Sequence, residues 1–257
     1  MIGRRINEGY INTSRDVLTG YNKAFIIDKE KKKRLILEDP KSAEIIRPIL
    51  RGRDIKRYAY EFADLYIIAT FPSLKVNIDV YPSIKQHLMS FGYDRLKQTG
   101  DSGARKKTGN KWFETQDSIS YWEDFNRQKI VWKRIGSIIR FSYDESGALA
   151  LDSTCFATGK NIKYLVGILN SKFGRYLMKD SPQTGTGDLL ISVQAIEPLL
   201  LKVPNELISK KFEIILDQIL TNIGLNKDYA DLENEISALI YQEYHFTQEE
   251  ICFIESQ

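Results

Sequence analysis

IIRPILRGRDIKRY, residues 45–58, is the stretch on which the fold turns. Five of its fourteen residues are basic: Arg47, Arg51, Arg53, Lys56 and Arg57. Between them stand Ile45, Ile46, Ile49, Leu50 and Ile55, which are expected to anchor the segment in a core. The arginines then form either a solvated rim or a surface that meets phosphate. Asp54 is placed to pair with an arginine or to cap one, and exposed pairs of that kind are common and weak. The residue before a proline avoids the α region, so a short helix begun near Asp39 or Ser42 is expected to stop before Pro48.

Working outward, VLTGYNKAFIID (17–28) carries a turn at Gly20–Asn22 and then a β-rich run. Asn22 suits left-handed turn geometry. DKEKKKR (28–34) is polar enough for an exposed hairpin tip, with LILE returning as the second strand. DLYIIATF reads as a strand. YPSIKQHLMSFGYDRL has helical spacing, with Ile84, Leu88 and Phe91 on one face and Pro82 in the first turn. QTGDSGARKKTGNK (98–111) has three glycines and no large apolar residue, which makes it a basic loop. QKIVWKRI and IIRFSYDE read as two strands.

KNIKYLVGILNSKFGRYLMK (160–179) is the clearest amphipathic helix, with Ile162, Leu165, Ile168, Leu169, Phe173 and Leu177 near one stripe. Asn170 inside it is poor for helix propensity and points to packing against the sheet through a tertiary hydrogen bond. SPQTGTGD breaks the helix. KKFEIILDQILTNIG then ends at a glycine cap, Gly224. DLENEISALIYQEY places Leu232, Ile236, Leu239, Ile240 and Tyr244 on one face. The expected class is α+β, a mixed α/β body over residues 1–204. A helical tail over 205–257 packs on that body or on a partner.

Composition limits the function. With 257 residues, 42% hydrophobic and 28% charged, the chain is globular in character. The net charge is only +3, so an anionic partner must be met by a local patch. Cys155 and Cys252 stand far apart and imply no disulfide framework, which fits a reducing cytoplasm. The first residues lack a signal-peptide core, and no apolar run reaches the length of a membrane span.

The motifs of catalysis are sparse. His87, His245, Cys155 and Cys252 include no close pair for zinc or for a Cys–His nucleophile. TGTGD (184–188) contains a Gly-x-Gly without a following Lys-Ser/Thr, so it reads first as a turn and second as an anion-binding turn. Three acid-x-Lys elements, at Glu30, Asp39 and Asp54, suit a Mg²⁺-dependent nuclease, but a lysine-rich chain produces them by chance. No Asn or Asp precedes a pair of prolines, so the adenine-methyltransferase catalytic element is absent. A cationic surface with aromatic neighbours is left. Arg105, Lys106, Lys107 and Lys111 precede Trp112 and Phe113, and Arg127, Lys129, Lys133, Arg134 and Arg140 stud the next strands. Such side chains gain affinity for duplex DNA by displacing condensed counterions, and arginine also reads guanine edges.

LTGYNKAFIID, IIRPILRGRDIKRY, YPSIKQHL and KYLVGILNSK, in that order, resemble the TaqI-like C-terminal specificity domain, and the tail LENEISALIYQEYHFTQEEICFIE resembles the helical ending of the same enzymes. The matching framework is Thr19-Gly20-Tyr21-Asn22, Arg51-Gly52-Arg53-Asp54-Ile55 and Leu169-Asn170-Ser171-Lys172. The resemblance implies a target-recognition domain of adenine-N6 DNA methyltransferases and of fused type IIG restriction–modification enzymes, in a bacterial or archaeal cytoplasm. It implies double-stranded DNA as partner, and a methyltransferase domain, sometimes with a nuclease, in the same or a partner chain. S-adenosylmethionine and Mg²⁺ are then expected in those domains and no cofactor in this one. The chain is read as an excised C-terminal part or a separate subunit, non-catalytic by itself. The residues expected to contact DNA are Arg51, Arg53, Arg57, Arg105, Lys106, Lys107, Lys111, Arg134 and Arg140. An interaction module that pairs through the terminal helices, and a hidden nuclease, are the competing readings.

Overall fold

The computed structural model describes residues 4–5, 11–15, 17–151 and 153–256. In chain order, β1 (Arg4–Arg5) and β2 (Ile11–Arg15) are followed by a helical turn, α1 (Asn22–Phe25). Next come β3 (Ile26–Asp28), α2 (Lys29–Glu38), β4 (Ile46–Leu50) and β5 (Leu65–Ile68). Two helices, α3 (Pro82–Met89) and α4 (Tyr93–Leu96), lead into a long loop. The strands β6 (Lys129–Lys133), β7 (Ile135–Gly136), β8 (Phe141–Asp144), β9 (Leu149–Ala150) and β10 (Thr154–Gly159) form the middle of the chain. Then come α5 (Ile162–Asn170), α6 (Lys172–Met178), β11 (Leu189–Leu190), α7 (Val193–Ile196) and β12 (Leu200–Leu201). The last helices are α8 (Glu206–Gly224), α9 (Ala230–Tyr244) and α10 (Gln248–Glu255). The expected mixed α/β class with C-terminal helices is what the molecule has.

Two four-stranded sheets organise it. One runs β2–β10–β6–β8, antiparallel throughout. The other runs β3–β5–β4–β9, antiparallel except for the β4–β9 pair. Successive side chains on a strand point to opposite faces. The first sheet therefore divides two cores: Ile130, Trp132, Cys155 and Ala157 enter one, while Val131 and Phe156 enter the other. The first core also holds Leu165 and Ile168 of α5, with Phe212, Ile215, Ile236 and Ile240 of the last helices. The second lies around β3, β4, β5 and α3.

Segment 45–58 joins the two. Ile45, Ile46, Ile49, Leu50 and Ile55 are all buried in the second core, as their pattern predicts. Tyr58 belongs to the first, where its N–H donates to the Phe141 carbonyl (3.0 Å) and its own carbonyl accepts from Tyr143 N (2.8 Å). Burial of each such aliphatic side chain contributes about 1.5–3 kcal/mol.

The structure departs from the sequence reading at four places. KEKKKRLILE is a helix and not a hairpin tip. Lys and Glu are good helix formers, and the Asp28 carboxylate caps the helix by accepting from Lys31 N at 2.7 Å. The helix expected over YPSIKQHLMSFGYDRL breaks after Met89, with Phe91 outside it and Gly92 (φ 91°) before α4, whereas the expected short helix is present, as a 3-10 turn over Pro40–Ile45 that Asp39 caps and that ends before Pro48. The long helix over 160–179 is two helices: Ser171 leaves the helical conformation and its Oγ accepts from Gly174 N at 3.1 Å. Gly174 is required at that corner, because a Cβ there would lie 2.3 Å from the Ile168 carbonyl oxygen. Finally, in the turns at 20–22 and 224–226 the positive-φ residues are Gly20 (φ 75°) and Asn226 (φ 52°), rather than Asn22 and Gly224. Asn22 instead opens α1 and accepts from the Thr19 hydroxyl at 2.5 Å.

Asn170 meets its expectation. Its side-chain oxygen accepts from Phe141 N (3.1 Å) and its amide donates to the carbonyls of Phe141 (2.7 Å) and Val166 (2.9 Å), which fastens α5 to the end of β8. Among the described residues, no helix is long and apolar enough to cross a membrane.

Candidate nucleic-acid interface

The RGRD turn leaves β4 and reverses at once. Asp54 N donates to the Arg51 carbonyl at 2.9 Å, and the Asp54 carboxylate accepts from the Arg51 backbone N–H (2.9 Å), Nε (2.9 Å) and Nη2 (2.7 Å). The Asp54 carboxyl feels two opposed effects. Burial works to raise its pKa, but the hydrogen bonds and charge of Arg51 outweigh burial, so it lies below the usual carboxylate range. Gly52 is needed for close approach, since a Cβ there would stand 2.9 Å from Lys133 Cγ. Arg51 is thus a structural brace whose fork is filled by Asp54. Arg53, two residues on, is exposed.

Arg57 is also engaged inside the molecule. Its Nη1 pairs with Glu233 of α9 at 2.7 Å and its Nη2 donates to the Asn170 carbonyl at 2.7 Å. It clasps a C-terminal helix to the body, so its charge is already partnered, although a third of the side chain stays exposed.

Arg105 requires the largest correction. Only 2% of it is exposed. Nε donates to the Leu96 carbonyl (2.8 Å), Nη1 to those of Thr19 (2.9 Å) and Glu114 (2.8 Å), and Nη2 to that of Trp112 (2.6 Å). Burial, with a smaller contribution from Arg95, pushes its pKa down to about 10, so it stays charged at neutral pH. A loop with few apolar residues needs another device to gather its carbonyls, and a five-donor guanidinium supplies one. Lys106, Lys107 and Lys111 of the same loop are exposed.

Among the strand residues, Lys129 is completely buried and paired with Asp144, whose Oδ1 also accepts from the Tyr60 hydroxyl at 2.9 Å. Arg127 pairs with Asp124 at 3.2 Å. Arg134 is half-buried, and its Nε is buried without a hydrogen-bond partner. Arg140 is exposed.

Three of the nine candidates, Arg53, Arg57 and Arg140, line two adjoining cavities. Arg53 and Arg140 line one cavity of about 410 Å³ together with Lys56, Lys133, Ser137 and Ile138. Lys56 and Arg140 also line a neighbouring cavity of about 580 Å³, shared with Arg57 and Lys227, so the two make a continuous basic groove. Lys56 is partly neutralised by Glu61 at 3.2 Å. Lys133 completes the cluster because Gly52 lets its stem lie against the turn. The TGTGD turn borders the groove through Asp188. The Gly187 and Asp188 N–H groups of that turn are bonded within it, to the Thr184 carbonyl (3.0 Å) and hydroxyl (3.2 Å), which gives the turn its shape and takes those two donors from any anion.

Lys106, Lys107 and Lys111 do not join this cluster. Their loop hangs on Thr70, which accepts from Thr115 N (3.0 Å) and donates to the Phe113 carbonyl (2.6 Å) just beyond β5. That lies beside the start of β4, because Ile46 pairs with Ile68. The RGRD turn leaves the other end of the strand, about 15 Å away at the usual rise per residue. Among the described residues, no group of three His, Cys, Asp or Glu could hold a metal ion. Asp54 is tied to Arg51, and Glu30 sits on the exposed face of α2.

Comparison with known proteins gives the family. The TaqI-like C-terminal specificity domain matches residues 47–190, and the chain belongs to that family. The type IIL restriction–modification enzyme MmeI, solved in complex with DNA, matches the whole chain at a TM-score of 0.62 and 12% identity. The type IIG restriction endonuclease BpuSI matches 84% of it at a TM-score of 0.50 and 11% identity. At such low identity these likenesses show the fold. The chain spans 38% of the first structure and 26% of the second. No curated protein matches it.

Proposed function

We propose that this chain is the sequence-specific double-stranded DNA-recognition module of a restriction–modification enzyme and is non-catalytic by itself. The observation that carries the reading is the convergence of Arg53, Lys133 and Arg140 on one groove of a specificity-family domain. Cations gathered in a cleft neutralise phosphates and fix register on the duplex, and base contacts beside them supply the sequence preference. The proposal extends to a larger cytoplasmic enzyme, in which an adenine-N6 methyltransferase domain, with or without a nuclease, lies in the same or a partner chain. S-adenosylmethionine and Mg²⁺ would belong to those domains, and no residue here is assigned to either.

The competing interaction reading loses its main support. The apolar stripes of α8 and α9 are buried against α5, α6 and each other, through Phe212, Ile215, Ile219, Ile236 and Ile240.

The test is fluorescence anisotropy against a randomised duplex pool at low and moderate salt, with sequencing of the bound fraction. Salt-sensitive binding that enriches a short motif is expected. Binding indifferent to salt, or cleavage of plasmid DNA with Mg²⁺, contradicts the reading.

A further inference from the structure

Ser137 and Ile138 form a bend between β7 and β8, and Ile138 is 64% exposed. A single exposed isoleucine is ordinary on a protein surface. Its setting here is unusual in two respects.

The first is that the tip is held on both sides. β7 pairs with β11 in the register Gly136↔Leu189 and Ile135↔Leu190. Arg134 N donates to the Ser153 carbonyl (2.8 Å), and the Arg134 carbonyl accepts from Ile191 N (2.8 Å). On the other side Ile139 is buried in the core, and Phe141 N donates to Asn170 Oδ1 at 3.1 Å. The backbone that carries Ile138 is therefore fixed. Its β-branched side chain has few rotamers to lose on binding.

The second is its company. Ile138 lines the same cavity as Arg53, Lys133 and Arg140. A polyanion drawn in by those cations meets this side chain on arrival. Phosphate contacts carry no sequence information directly, so a recognition surface needs something that touches the bases. Two apolar options exist: contact with the thymine methyl in the major groove, or a wedge between base steps from the minor groove.

We propose that Ile138 makes an apolar contact with a DNA base and so contributes to sequence preference; this rests on the DNA reading given above. The contact is separate from the phosphate grip of the groove arginines. Its loss lowers discrimination and leaves the electrostatic component of binding intact.

The experiment compares the 257-residue chain with its Ile138→Ala variant. Each is used to select from a randomised duplex pool, and each is titrated with salt on the selected duplex and on a scrambled one. Thermal unfolding of both confirms that the variant folds. The variant is expected to bind the selected duplex about tenfold more weakly, in keeping with the loss of one base-pair preference. Its affinity for the scrambled duplex and its salt slope stay unchanged, and one or two adjacent positions of the motif lose information. Replacing thymine by deoxyuridine at those positions separates the two contacts: an equal loss assigns the methyl contact, and no loss assigns the wedge. Identical motifs and affinities for the two proteins overturn the inference while the DNA reading stands. Failure of the unsubstituted chain to bind any duplex overturns both.

Discussion

The RGRD turn and the basic loop over 98–111 both carry arginine and put it to opposite uses. In the turn, one arginine is locked onto Asp54 and its neighbour Arg53 is presented to the groove. In the loop, the arginine is drawn inside and binds four carbonyls, while the lysines beside it face solvent away from the groove. A count of basic residues does not separate the two. The separating factor is the acceptors that the backbone offers. The loop has few apolar side chains and many carbonyls needing donors, so it takes up its own guanidinium. The turn has an aspartate three residues on, which fills the first arginine and frees the second.

The largest effect should come from the loop. Arg105→Ala leaves the carbonyls of Thr19, Leu96, Trp112 and Glu114 without that donor. It is expected to lower stability in urea by about 3–5 kcal/mol. Unchanged stability with a large loss of DNA affinity would reverse the comparison and make Arg105 a ligand contact.

Next comes Asp54→Asn, which weakens the brace on Arg51 and is expected to cost about 1–3 kcal/mol. The folded-state pKa of Asp54 is depressed, so its contribution is fully present above the unfolded value. It is lost as pH falls below about 4. Unfolding measured against pH should show a shallower acid loss in the variant than in the parent.

The smallest effect belongs to the solvent-facing lysines. Lys106→Gln with Lys107→Gln should alter stability by less than about 0.5 kcal/mol. The same pair should weaken duplex binding by less than about threefold, as for charges outside the contact surface at physiological salt. A loss of tenfold or more in anisotropy would place a second contact surface on the loop.

Much of this was legible in the sequence. The aliphatics of IIRPILRGRDIKRY, the strand in DLYIIATF, the first two turns of the helix opened by Pro82 and the structural role of Asn170 all match the sequence pattern. They rest on short-range periodicity or on one residue out of place in a helix. The errors share a different cause. Polarity alone points KEKKKR to a hairpin tip, although the same residues are good helix formers once Asp28 caps them. Basic clustering points Arg57 and Arg105 to DNA, but the partners that hold them, Glu233 with Asn170 and Thr19 with Leu96, are distant or unmarked in sequence. The groove itself was not legible. It needs Gly52, Lys133 and Arg140 brought together by two strands and a turn, and no spacing rule joins them.

The central claim is that the groove cations, and not the loop cations, grip DNA. The most direct measurement is the slope of log affinity against log salt for one duplex, taken for three proteins. These are the parent, an Arg53→Gln/Lys133→Gln/Arg140→Gln variant, and the Lys106→Gln/Lys107→Gln variant. Each lost phosphate contact removes about 0.9 from the slope. The groove variant should therefore fall by roughly 2–3, with stability retained, while the loop variant keeps the parental slope. A parental slope in the groove variant, with the fall appearing in the loop variant, would contradict the account.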